Sequence, residues 1–342
     1  MKRLRIAVLM HAALVPPESI EGLSDEEIDR FKMEYDVCAA LENLGHDVVQ
    51  VAVEDELRPI QQVIREHRPH VAFNLLMHFH DAGIYDSAVV AWLELRKQHY
   101  TGCNPRGLLV ANDKALCKKV LAYHRIRAPR FFVVARGKTI RALPRGMRWP
   151  IFVKSRSEHA STGISQASIV HDLEQLASRV EYVHEHVGTA ALCEEYVDGR
   201  ELTVGLLGNK RVEVGPVWEV FMDKLPAGVA NITTNRVKWD HDYQKKIGLR
   251  TGPAEDLAPA KVTEIQRTAR RIYRALGLSG YARIDIRMDS DETVWILEAN
   301  PNPDLCFGED FAESFERLGY TYPELVQKIL NLGLRYEAPW KG

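Results

Sequence analysis

Three short β-rich runs, RIAVLM at 5–10, DVVQVAV at 47–53 and HVAFNLL at 70–76, are separated by stretches with helical spacing. Strands that alternate with helices are joined by crossovers, and crossovers make a parallel sheet with helices on its faces. The first helix has a capping signature, Ser24-Asp25-Glu26-Glu27, then apolar Ile28, Phe31, Tyr35, Cys38 and Leu41, with Gly45 as its stop. Ligands usually meet such sheets at the carboxyl ends of the strands, so the loops after Met10 and Leu76 are expected site walls.

The texture then changes. After a capped helix from Asn112, the runs RFFVV, WPIFVKS and ALCEEYV bracket a helix near 171–187 and read as a smaller α+β unit. A third region runs through ELTVGLL and RVEVGPVWEVF, an irregular stretch at 222–256 and a long helix near 259–276. It closes on two strands, YARIDIRM and TVWILEAN, joined by DSDE. With 342 residues, two or three domains are expected, and the divisions fall at 1–106, 107–199 and 200–342.

The bulk numbers exclude several classes. A formal charge of −2 is close to balance and does not indicate the polyanion affinity of a strongly basic surface, so nucleic acid is not an expected partner. Cys38, Cys103, Cys117, Cys193 and Cys306 are scattered and odd in number, which fits reduced thiols in a cytoplasm better than disulfides or zinc. The opening MKRLRIAVLMHAALVPPE mimics a signal peptide, but His11 interrupts it and a first strand is the better reading. No run approaches the ~20 apolar residues that span a bilayer.

The last two strands carry the chemistry. Side chains alternate along a strand, so Arg283, Asp285 and Arg287 share one face, as do Glu298 and Asn300. If DSDE is a tight connection, Met288 pairs near Thr293, Glu298 falls opposite Arg283, and Asp285 is its diagonal neighbour. Asp285, Glu298 and Asn300 then offer oxygens to a hard cation such as Mg²⁺. A solvated hairpin whose charges neutralise one another is the alternative. Upstream, IFVKSRSEHASTGIS sets Lys154 at a strand end before a hydroxyl-rich loop, a phosphate cradle without the Walker A pattern, or else an ordinary turn. Glu194 and Glu201 in ALCEEYVDGRELTV suit an adenine amino group and a ribose, or are solvent-facing strand edges.

In order along the chain, PHVAFNLLMH, YTGC, NDKALCKK, WPIFVKSRSEHASTG, ALCEEYVDGRELTVGLLGN, YARIDIRM and WILEANPNPD resemble the ATP-grasp superfamily, and within it the D-alanine–D-alanine ligases. The resemblance implies an α/β fold with a Rossmann-like N-terminal parallel sheet, then two α+β lobes that clamp ATP. It implies Lys114 and Lys154 on the phosphates, Glu194 with Glu195 to Val197 at the adenine, and Glu201 on the ribose. Ser161 and Gly163 occupy the glycine-loop position, and Lys238 matches a mobile-loop lysine that reaches the γ-phosphate. Asp285, Glu298 and Asn300 match ligands of two Mg²⁺ ions, for which Mn²⁺ can substitute, and Arg283 matches the arginine that steadies a tetrahedral intermediate. The implied reaction activates a carboxylate as an acyl phosphate and joins it to an amine. Small-molecule substrates and a homodimer are implied with it.

The chain departs from that pattern around the acceptor. Asp304 stands where glycine is expected, Ala160 and Ser161 replace paired serines, and MHAALVPPESIEGL and MHFHDAGIYD replace two N-terminal loops. Asp304 would repel a substrate carboxylate and attract a basic acceptor. His78 and His80 are substrate ligands or simply solvated; Glu18 and Asp81 are candidates for an ammonium; Trp218 and Trp239 line the acceptor pocket or pack. A hydroxyl-phosphorylating kinase and a nucleotide-binding scaffold are the competing readings. The scaffold needs none of Lys114, Lys154, Arg283, Asp285, Glu298 and Asn300.

Overall fold

The computed structural model describes residues 2–80 and 82–341. A parallel sheet comes first, from β1 (Arg5–His11), β2 (Asp47–Val53) and β3 (Val71–Asn74) in the order β2-β1-β3. β1 shows why it is central. Ile6, Val8 and Met10 enter one hydrophobic cluster while Ala7 and Leu9 enter another, so both faces are buried.

Next comes an antiparallel sheet of β4 (Phe131–Val134), β5 (Ile151–Ser155), β6 (Ile169–Val170) and β7 (Ala191–Glu195), ordered β4-β7-β5-β6. Its own core includes Ile151, Val153, Cys193, Leu176 and Val180. The third sheet contains β8 (Arg200–Gly208), β9 (Val212–Met222), β10 (Leu249–Pro253), β11 (Tyr281–Met288) and β12 (Val294–Pro301), ordered β10-β9-β8-β11-β12. This succession of one parallel and two antiparallel sheets agrees with the α/β fold that the resemblance implies.

The outer sheets share their cores. Val8 and Phe73 of the first sheet cluster with Leu325 and Ile329 of the helix Tyr322–Arg335, and with Phe311 and Phe315 beside the third sheet. Gly280 shows how closely these parts meet. It has φ +72°, and a Cβ there would lie 2.4 Å from the Gly102 carbonyl oxygen, so a side chain would wedge them apart. All five cysteines are free and buried, and no described helix is long and apolar enough to cross a membrane.

Three local expectations need correction. The first capped helix is two, Asp25–Asp29 and Lys32–Asn43; the Ser24–Glu27 capping box is present, but Phe31 bonds back to Ile28 and redirects the chain. The stretch 222–256 contains the short helices Asn235–Trp239 and His241–Ile247, capped by Thr234 and Asp240, and then β10. The third correction is the register of the β11–β12 hairpin. Asp289 accepts from Asp291 N and Thr293 N through Oδ1, which draws Thr293 into the turn, so Met288 pairs with Val294. A bulge then adds a second residue of shift, and Asp285, not Arg283, lies opposite Glu298. Two one-residue shifts preserve the parity of the strand, so the expected side chains still share a face.

Candidate active site between the two antiparallel sheets

A cavity of about 630 Å³ is lined from both antiparallel sheets and by the segment that follows β9. Its floor is the β11–β12 face. Arg283 donates a two-pronged grip to Asp285, Nε to Oδ1 at 2.7 Å and Nη2 to Oδ2 at 3.0 Å. Asn300, paired with Arg283 across the strands, donates from Nδ2 to Asp285 Oδ2 at 2.7 Å. Burial raises the Asp285 carboxyl above its ordinary range, more than the Arg283 guanidinium lowers it.

Two lysines approach Glu298 from the other side. Lys114 Nζ lies 3.5 Å and Lys154 Nζ 3.9 Å from Glu298 Oε2. Burial alone would raise the Glu298 carboxyl, but Lys114 and Lys154 outweigh it and hold the group well below the usual carboxylate range. Lys114 opens the helix Lys114–Tyr123 behind the Asp113 cap and donates to the Glu158 carbonyl at 2.5 Å. Lys154 is carried by β5.

Glu194 on β7 faces these lysines rather than open solvent. Lys154 Nζ is 3.4 Å from its Oε2, and Lys118 Nζ is 3.0 Å from its Oε1. Burial lowers the Lys154 ammonium, yet Glu194 and then Glu298 hold it above its ordinary value. Lys118 has no such balance: burial prevails over Glu194 and pulls it down. Its other neighbour is the Ile296 carbonyl at 3.3 Å.

The adjoining wall holds Glu195, Val197 and Glu201. The amides of Glu195 and Tyr196 are taken by the Arg130 and Pro150 carbonyls, and Glu195 Oε1 accepts from Arg148 N at 3.0 Å. Glu201 Oε2 accepts from Arg287 Nη2 at 2.9 Å, an ion pair directly across β8 and β11. Arg287 also donates to the Gly199 and Asn231 carbonyls.

The roof is the segment after β9, tied to the loop after β5. Ser161 Oγ donates to the Thr233 carbonyl at 3.0 Å, Asn235 N to the Ile164 carbonyl, and Gln166 exchanges two bonds with Ala230. Ala160 and Ser161 have φ of 55° and 57°, and Gly163 has φ +71° with Val187 2.7 Å from a would-be Cβ. Gly163 shapes this loop without lining the cavity. Lys238 lines the roof with its ammonium 5.0 Å from the Trp239 ring centroid.

The structure thus brings Lys114, Lys154, Ser161, Glu194, Glu195, Val197, Glu201, Lys238, Arg283, Asp285, Glu298 and Asn300 to one cavity. Asp304 and Trp239 also line it, whereas Trp218 is buried in β9. The expected walls after Met10 and Leu76 do not: Glu18, His78 and His80 are outside the lining, and Asp29 and Lys32 line it instead. His78 lies near His159, which does line it and whose imidazole burial and then Lys114 push down to about 4. Asp81 lies outside the described residues. Sequence reasoning gave no role to Lys118; its spacing of four from Lys114 on a capped helix was the available signal.

As a donor set for a hard cation, two carboxylates paired across adjacent strands and a neighbouring amide fit Mg²⁺, which prefers oxygen ligands.

Residues 119–331 match the family model described as the D-ala D-ala ligase C-terminus. The D-alanine–D-alanine ligase of Desulforudis audaxviator is 31% identical over 314 residues, covering 91% of this chain and 95% of that protein. The Bacillus anthracis D-alanine–D-alanine ligase, solved with ATP, aligns with a TM-score of 0.74 at 21% identity, over 97% of this chain and 98% of its own. The VanG D-Ala:D-Ser ligase of Enterococcus faecalis aligns at 0.68 and 17%, over 97% and 100%. With that match and that identity across most of its length, the chain belongs to the D-alanine–D-alanine ligase family of ATP-dependent, carbon–nitrogen bond-forming enzymes.

Proposed function

We propose that the protein joins an amino-acid carboxylate to an amine through an acyl phosphate, with an acceptor other than a second D-alanine. The observation that carries this is the convergence of Lys114, Lys154 and Arg283 on the face that presents Asp285, Glu298 and Asn300.

A carboxylate is a poor acyl donor because oxide would have to leave, so ATP must first phosphorylate it. Lys114 and Lys154 bind the polyphosphate and offset its charge in a largely buried setting. Glu194 orients Lys154, and Glu195 to Val197 with Glu201 hold the nucleoside end. Asp285, Glu298 and Asn300 are the ligands for Mg²⁺, which when bound supplies further charge neutralisation at the phosphates. Arg283, fixed by Asp285, faces the oxyanion that develops when the amine attacks. Lys238, Ser161 and the roof exclude water, which would otherwise hydrolyse the acyl phosphate. The four-stranded sheet of the unit 107–199, whose core from Val134 onward is separate, is the part that opens for exchange of substrates, while the helices before it stay packed in the shared core.

Asp304 supports the altered acceptor, because a carboxylate in the cavity wall opposes a free substrate carboxylate. Turnover of amino-acid and amine panels with ATP and Mg²⁺ tests the reading. ADP, free phosphate and an amide detected by mass support it; a phosphorylated product would make the protein a kinase.

A further inference from the structure

The loop after β5 is held in an uncommon shape from behind. Ala160, Ser161 and Gly163 have φ of 55°, 57° and 71°, and the first two carry a Cβ that disfavours such values. Bonds inside the loop are few: Thr162 N and Oγ1 donate to the His159 carbonyl at 3.1 and 2.8 Å, and Ile164 N donates to the Ser161 carbonyl at 2.9 Å. A strained loop of this kind keeps its shape only when its surroundings impose it. Glu158 to Thr162 line the cavity, and Ser161 ties the roof at Thr233.

Arg179 supplies the hold from outside. It lies in the helix Leu173–Tyr182, is 8% exposed and does not line the cavity. Its Nη2 donates to the Gly163 carbonyl and, at 2.9 Å, to Ser168 Oγ, which in turn accepts from Ser165 N at 3.1 Å. One guanidinium thus joins the end of the loop to the turn that follows it. No carboxylate pairs with Arg179 among the described residues, and its Nε has no hydrogen-bond partner. Tyr182 covers it, with the guanidinium 4.3 Å from the ring centroid. Burying a cation without an acid is unfavourable, and an apolar side chain would fill the same place at less cost. What the guanidinium adds is its grip on the loop.

We propose that Arg179 is a positioning residue for nucleotide binding: by holding Gly163 it keeps Ser161 where it ties the roof over bound ATP. This inference rests on the placement of ATP in the cavity under that roof. A loop already in its closed shape loses little freedom when the nucleotide arrives, so the hold raises affinity without touching the ligand. Val187 and Tyr182, 2.7 and 3.7 Å from a would-be Gly163 Cβ, wall the loop from behind and keep its carbonyl beside the guanidinium.

The test uses the full chain with ATP and Mg²⁺ in a calorimeter, which gives the affinity and the number of sites separately. Loss of folded protein lowers the number of sites, whereas a loosened loop raises Kd with the number of sites unchanged. Arg179→Met should raise the Kd for ATP by about tenfold, and Arg179→Lys, which keeps a donor, by about threefold. Because Arg179 acts through Ser161, the double variant Arg179→Lys with Ser161→Ala should bind ATP as weakly as Ser161→Ala alone and no more weakly. Kd values equal to the parent's in both arginine variants, or penalties that add in the double variant, overturn the inference while leaving the ligase reading intact. Where Arg179→Met does not fold, Arg179→Lys and the double variant decide by the same criteria. Parent protein that binds no ATP overturns both.

Discussion

Lys118 and Glu194 form an ion pair of 3.0 Å whose side chains are 1% and 3% exposed. Removing one partner of so buried a pair weakens the compensation of the other, although Lys154, 3.4 Å from Glu194 Oε2, keeps part of it for Glu194; replacing both with apolar groups removes the buried pair at the cost of one counter-charge of Lys154. Lys118→Met should therefore destabilise the protein by roughly 3 kcal/mol. The double variant Lys118→Met with Glu194→Leu should recover part of that loss in denaturant unfolding. A double variant at least as unstable as the sum of the singles would show that the pair does not act as a unit.

Lys154 sits between Glu194 and Glu298, 3.4 and 3.9 Å from their carboxylates, and lines the cavity. Lys154→Ala should weaken ATP binding by about tenfold or more, read by calorimetry. Affinity equal to that of the parent would remove Lys154 from the phosphate site.

Glu298 pairs across the hairpin with Asp285 and is held ionised by two lysines. Glu298→Gln should raise the Mg²⁺ concentration needed for half-maximal turnover by at least about tenfold, and should also lower the unfolding temperature, because Lys114 and Lys154 lose that counter-charge. An unaltered Mg²⁺ dependence would exclude Glu298 as a ligand.

Asp86 provides a pH test away from the cavity. Burial pushes its carboxyl from 3.8 up to about 7, although Asn112 Nδ2 donates to Oδ2 at 2.7 Å; Oδ1 has no partner. The folded state thus holds this proton more tightly than the unfolded chain. Its contribution is most favourable below about pH 4 and is lost as pH rises toward 7, the reverse of a salt-bridged aspartate. Asp86→Asn should stabilise the protein by about 2–4 kcal/mol at pH 8 and by almost nothing at pH 4. Equal effects at both values would show that Asp86 is not protonated in the fold.

Much of this was legible in the sequence because it rests on local periodicity. The parallel sheet follows from alternating runs, and the shared face of Asp285, Glu298 and Asn300 follows from strand parity, which survived a two-residue error in register. The error itself came from features with no periodic signal, the Asp289 side chain in the turn and the bulge beyond Ile286. Lys118 was overlooked because a lysine on a helix is usually solvated, and only the packing of β12 and Glu194 around it makes it a core residue. The loops after Met10 and Leu76 were expected at the cavity by the rule for parallel sheets. Here the cavity lies between the antiparallel sheets, and the two helices after the first loop reach it through Asp29 and Lys32.

Donor carboxylate oxygen tracks the central claim most directly. With the donor amino acid labelled by ¹⁸O in its carboxylate, turnover should transfer one labelled oxygen to each phosphate released, because the C–O bond of an acyl phosphate breaks when the amine attacks. Phosphate released without label during amide formation would contradict the account.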